Sequence, residues 1–236
     1  MEIDWHLLAL SPPGWGGALL KGLATTLQVA GFSYVFGLLI GTIGALGKLY
    51  GGPIARDLWG LYTTTVRAIP ELVLIVLIYY AGTEMLNSIV MALGYPAIDV
   101  SGLIAGIFVI SLVQGAYATE VLRGAIKAVP HGELEAARAY GMSPFLTLRR
   151  VTLPAMLPNA LPGLANLWLI TTKDTALLAV VGFTELTMVT RQAGAATRHY
   201  LMFFCAAGLL YLMVTLISNQ LIGFLERRAR RGRVGG

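Results

Sequence analysis

The sequence predicts an all-α integral membrane protein with five transmembrane helices. Apolar residues make up 56% of the chain and charged residues only 12%, a membrane rather than a soluble composition. Five long stretches carry almost no charge. A helix needs about 20 such residues to cross a hydrocarbon core of roughly 30 Å, because every backbone N–H and C=O must be satisfied within the helix. The third observation is a short, polar, alanine-rich segment within residues 133–154. It interrupts the apolar stretches with its own start and stop signals.

The first residues contain Glu2 and Asp4 but no Lys or Arg up to Gly17, so they lack the positive flank of a secretory signal, and the first apolar helix is expected to be retained. Span one is predicted over 23–46. Its Gly37, Gly41, Gly44 and Gly47 recur every three or four residues, forming one face that a second helix can approach closely. Spans two and three are predicted over 70–90 and 103–126. Span four is predicted from 155 to about 181, broken by Pro158, Pro162 and the charged pair Lys173 and Asp174. Irregular backbone at that depth is tolerated only against protein or a water-filled cavity. Span five begins near residue 200 and contains Cys205, the only cysteine. No intrachain disulfide can form, and Cys205 is expected to act as a small buried apolar residue.

Charge placement sets the predicted orientation. Lys48, Arg56 and Arg67 lie between spans one and two. Arg123, Lys127, Arg138, Arg149 and Arg150 lie between three and four, and Arg227, Arg228, Arg230, Arg231 and Arg233 follow span five. These segments should face the cytoplasm, which puts the N-terminus outside and the C-terminus inside. The arginine tail directly follows a span, so orientation and anionic lipid explain it and no nucleic-acid partner is expected. One membrane domain is predicted over 20–226, with a basic tail over 227–236.

No chemistry is expected of the chain. Gly41 to Lys48 superficially resembles a phosphate-binding loop, but five residues separate Gly41 from Gly47 and no Ser or Thr follows Lys48. His6, His131 and His199 have no partners at metal-ligand spacing. Neither a bound cofactor nor a catalytic residue is predicted.

The polar interruption is read as a docking element. Pro130 and Gly132 end the extension of span three, Glu133 and Glu135 put negative charge at a new helix start, and Ser143-Pro144 supplies the next cap. The helix is predicted over 133–142, with Ala136, Ala137, Tyr140 and Gly141 making a narrow face for a partner's groove.

At these residues the chain resembles a known family. Glu135-Ala136-Ala137 with Gly141 and Leu153-Pro154 resembles the EAA loop in membrane subunits of bacterial ATP-binding-cassette (ABC) importers. Residues 67–73, with Arg67, Pro70 and Glu71, resemble the R-G-x-P-x-L-V signature of the polar amino acid permeases, Ala68 replacing the usual glycine. Gly115-Ala116-Tyr117, Glu120, Arg123-Gly124-Ala125 and Ala128-Val129-Pro130 resemble the segment before the EAA loop. Asn166, Lys173, Asp174, Thr175, Leu178 and Glu185-Leu186 resemble the fourth-span region. The histidine, arginine, ornithine and opine branch resembles it most.

The resemblance implies a type I importer transmembrane domain in the bacterial inner membrane. It would pair with a second permease subunit, identical or related, and two cytoplasmic ATPase subunits holding ATP-Mg would drive the pair. An external solute-binding protein would deliver a polar, basic amino acid. Glu135 and Gly141 are carried over as coupling residues, and Ala136, Ala137 and Tyr140 share their segment. Arg67, Pro70, Glu71, Glu120, Lys173 and Asp174 are the candidates for the substrate path, because ionisable groups in a span face a cavity or a partner. Glu120 and Arg123, three residues apart, are expected to pair. The competing readings are a secondary transporter or channel driven by an ion gradient and a scaffold that recruits a cytosolic protein.

Overall fold

The computed structural model describes residues 4–98 and 101–230. The charges at Glu2, Arg231 and Arg233 and the end of the basic tail lie outside the described residues. A short 3₁₀ turn (Trp5–Leu8) leads into α1 (Gly16–Tyr50). Then come α2 (Pro53–Ala68), α3 (Glu71–Ala92), α4 (Gly102–Lys127), α5 (His131–Ala139) and α6 (Pro144–Thr147). A π-helical turn (Leu148–Thr152) joins α6 to α7 (Leu153–Asp174), a 3₁₀ run (Thr175–Val181) extends α7, and α8 (Leu186–Thr197) and α9 (Tyr200–Arg230) complete the chain. Five helical segments are long and apolar enough to cross a membrane: Gly16–Tyr50, Glu71–Ala92, Gly102–Lys127, Pro144–Val181 and Tyr200–Arg228. These are the five predicted spans.

α4 is the buried axis, and its longest seam is with α1. The glycine face of α1 makes that seam possible. A Cβ on Gly41 would stand 2.5 Å from the Cβ of Ala118, and one on Gly37 3.0 Å from that of Gln114. Gly44 faces Thr119, and the Trp59 ring of α2 lies over Gly47. Gly41→Leu is expected to destabilise the bundle by about 1–3 kcal/mol through overpacking. Gly31→Ala, where a Cβ meets nothing within 4 Å, is the matched control. Thermal unfolding in detergent should show a lower midpoint for Gly41→Leu alone.

Four apolar clusters line the bundle: Ala45, Leu122, Met156 and Ala160 at one end, Val29, Ile75, Val109 and Leu178 in the middle, Val66, Leu74, Val113 and Ala116 between α2, α3 and α4, and Leu19, Leu186, Val189 and Phe203 at the other end. Beside the last cluster, fully buried Glu185 caps α8. One carboxylate oxygen accepts from Met188 N at 2.9 Å; the other accepts from Thr26 Oγ1 of α1 at 3.1 Å and Tyr211 Oη of α9 at 3.2 Å. Burial pushes this carboxyl above the usual carboxylate range, and its hydrogen bonds partly offset that shift. Glu185→Ala is expected to lower the thermal midpoint clearly, since each buried donor left unpaired costs about 1–3 kcal/mol. An unchanged midpoint would show that Glu185 does not tie α1, α8 and α9 together.

The structure corrects several expectations. Span four is not broken at its prolines: α7 runs through Pro158 and Pro162 and changes to a 3₁₀ run only after Asp174. Pro154, Pro158 and Pro162 are four residues apart, so the N–H groups they lack all fall on one side of the helix and the other side keeps its ladder. The π-helical turn, in which Leu153 N donates to Leu148 O, absorbs the entry to the first of them. Residues 51–69, for which no helix was predicted, hold α2, which packs back against α1 and α4. Its sequence signal was present: Pro53 at a first turn, then Trp59, Tyr62, Thr63 and Val66 at helical spacing. Cys205 is exposed on α9 and not buried.

Candidate functional site

The polar segment between α4 and α7 folds as α5, but its limits are His131–Ala139 and not 133–142, and Gly132 lies inside the helix. Pro130 precedes its first turn and Glu133 sits in that turn. Ala137 is 3% exposed and turned inward, and Leu134 packs on the apolar cluster of Ala45, Leu122 and Met156. Ala136, Ala137, Tyr140 and Gly141 therefore do not form one outward face. What the helix presents is Glu135, Ala136 and Ala139, followed by Tyr140 at 85% and Phe145 at 72% exposure. Phe145 was not anticipated, although an aromatic residue beside the Ser143-Pro144 cap of a polar segment was the available signal.

Gly141 lies beyond the helix at φ +70°, with its N–H donated to Arg138 O. A Cβ there would meet nothing within 4 Å in this chain. The glycine is required by the left-handed turn that ends α5. The Ser143 cap is as expected, its Oγ accepting from Leu146 N with Pro144 in the first turn.

A second polar centre forms where α2, α3, α4 and α7 meet. The climb of α2 back along the bundle brings Arg67 Cζ to 5.7 Å from the Tyr117 ring centroid. Pro70 then separates α2 from α3 and makes Glu71 the first residue of α3, where its charge suits the helix N-terminus. The Glu71 carboxyl adjoins both Tyr117 and Asp174. Buried Asp174 accepts from Gln114 Nε2 at 3.0 Å, while Gln114 Oε1 is buried without a partner. Lys173 is exposed and makes no ion pair with its neighbour. The structure thus brings Arg67, Pro70, Glu71 and Asp174 together and adds Tyr117 and Gln114.

Glu120 belongs to a different group. It pairs with Arg123 at 2.6 Å as its spacing suggested, and also with Lys48 of α1 at 2.6 Å. Lys48 Nζ donates further to Thr63 Oγ1 of α2 at 2.9 Å. This triad clasps α1, α2 and α4. Lys48 was not legible as a partner of Glu120, because 72 residues separate the two.

Five spans, a partly exposed polar centre between α2, α3, α4 and α7, and an exposed helix held at one end define a membrane-embedded transport subunit. Residues 33–231 match the family described as the binding-protein-dependent transport system inner membrane component, and the chain belongs to that family. The nopaline transport system permease protein NocQ of Agrobacterium fabrum is 41% identical over 98% of both chains. The histidine/lysine/arginine/ornithine transport system permease protein HisQ of Escherichia coli is 40% identical over 91% of this chain and 94% of its own. A solved amino acid ABC transporter with histidines superposes with a TM-score of 0.80 at 28% identity, covering 97% of this chain and 100% of that one. Family membership decides against the ion-gradient and scaffold readings.

Proposed function

We propose that this chain is the permease subunit of an ATP-driven importer of basic amino acids or opines. The observation that carries the proposal is the pair of adjoining carboxyls, Glu71 and Asp174, contributed by two different spans. Two acids held together, one of them buried, are costly when both are ionised, and a cation lying between them relieves that cost. A guanidinium or ammonium side chain is such a cation, while Arg67 and Lys173 nearby suit the α-carboxylate. Tyr117 and Gln114, with its unpartnered oxygen, add neutral contacts. Relatives named for histidine, lysine, arginine and ornithine and for nopaline support the same substrate class.

The remaining parts follow from this reading. A second permease subunit, identical or related, completes the path. Two ATPase subunits carry ATP-Mg, and their grooves receive α5 through Glu135, Ala136, Tyr140 and the Gly141 turn; Ala137 anchors the helix from behind. An external binding protein delivers substrate. The N-terminus lies outside and the C-terminus in the cytoplasm, since the inner loops hold the excess of Lys and Arg. Reconstitution of the complete transporter in liposomes tests the proposal. Labelled arginine should accumulate only with ATP and the binding protein together. Uptake sustained by an ion gradient without ATP would refute it.

A further inference from the structure

The exposed side of α7 carries a polar line of which the Glu71–Asp174 centre uses only the Lys173 end. Asn159, Asn166 and Lys173 are each exposed and stand seven residues apart, which keeps them within about 20° of one line per heptad. Pro162, also exposed, lies between the first two. A polar line on a spanning helix is expensive against lipid, so it marks the side of the helix that faces water or protein. At its inner end the line runs into a crevice of about 540 Å³ between α4 and α7. Glu120, Gly124, Ala128, Pro158, Asn159 and Pro162 line it.

The chemistry of this crevice is specific. Pro162 has no N–H, so the Pro158 carbonyl has lost its helical donor four residues on, and both residues line the crevice. The Asn159 amide oxygen is a second neutral acceptor beside it. On the facing helix Gly124 leaves open space, since a Cβ there would meet nothing within 4 Å. Both oxygens of Glu120 are already engaged by Lys48 and Arg123. The adjacent triad holds two cations against one anion, a surplus suited to an amino acid's carboxylate.

We infer that the inner half of the α4–α7 seam is a release station for the cationic amino acid, with the Asn159 amide and the freed Pro158 carbonyl receiving its guanidinium or ammonium group. It rests on the substrate reading given above and adds a second position, 15 residues or about 22 Å along α7 from Asp174. Neutral acceptors hold a cation more weakly than paired carboxylates do. That asymmetry favours passage toward the cytoplasm, because a translocating ligand must be bound well enough to enter and weakly enough to leave.

The test uses the complete reconstituted transporter and labelled arginine. Asn159→Leu removes the amide acceptor, and Pro162→Ala supplies the N–H that re-engages the Pro158 carbonyl while making α7 a better helix. Each is expected to lower the maximal uptake rate by roughly three- to tenfold, the equivalent of one lost hydrogen bond, with little change in half-saturation. Asn159→Gln, which keeps an amide oxygen, should restore most of the rate. Thermal unfolding should show Pro162→Ala at least as stable as the parent, so its loss of rate cannot come from misfolding. Parental rates in Asn159→Leu and Pro162→Ala, with Asp174→Asn inactive, would overturn the release station alone. No ATP-driven arginine uptake by the parent would overturn both readings.

Discussion

Asp174→Asn is expected to lower arginine uptake by roughly ten- to hundredfold, the effect of removing one charged hydrogen-bonding partner from a desolvated site. The substitution keeps the shape of the side chain. Asparagine can still accept from Gln114 through its amide oxygen, so the α4–α7 contact at 3.0 Å is retained and the fold is preserved. What is lost is one of the two adjoining negative charges. Glu71→Gln should act in the same direction, since it removes the other. Lys173→Met should leave the cation's binding intact and weaken uptake less, because Lys173 is exposed and is assigned to the substrate's carboxylate. Initial uptake rates at several arginine concentrations check the series. Parental uptake by both Asp174→Asn and Glu71→Gln would take the carboxyls off the path.

Gly141→Asp is expected to reach the membrane, keep hydrolysing ATP and lose uptake by at least about tenfold, the equivalent of 1.4 kcal/mol of coupling. Two effects combine at this position. A residue with a side chain held at φ +70° is strained by about 1–2 kcal/mol, which disturbs the turn leaving α5. The new carboxylate also projects into space that is empty in this chain, at the end of the helix that bears exposed Tyr140. A partner seated there meets a charge it has no room for. Because nothing within 4 Å in the chain itself opposes a Cβ, folding should be affected far less than coupling. Parallel assays of ATP hydrolysis and uptake in the same liposomes separate the two. Coupled, parental uptake would show that no partner contacts this turn.

Much of the architecture was legible because it is encoded locally. Five apolar stretches, the Ser143-Pro144 cap, the glycine face of α1 and the Glu120–Arg123 pair all depend on spacings within one helix or one turn, and each stands in the structure as read. Where local rules misled, a compensating geometry explains it. The four-residue spacing of Pro154, Pro158 and Pro162 puts the missing N–H groups on one side, and α7 continues as a helix through them. Gly141 proved to be a turn residue because α5 ends at Ala139. Ala137 looked like part of a docking face, yet the structure turns it inward.

The sequence by itself determined the class of solvent, the number of crossings, the expected orientation and the existence of a polar helix outside the bilayer. These follow from free energies of transfer and helical periodicity, which act residue by residue. Only the tertiary structure decided which charges meet. Lys48 reaches Glu120 across 72 residues, Gln114 reaches Asp174 across 60, and Glu185 joins Thr26 across 159. The fold of α2 back along α1 and α4 brings Arg67 beside Tyr117 and sets Glu71 at the start of α3. Such meetings depend on how helices pack in three dimensions, and that information is spread over every residue of the seams between them.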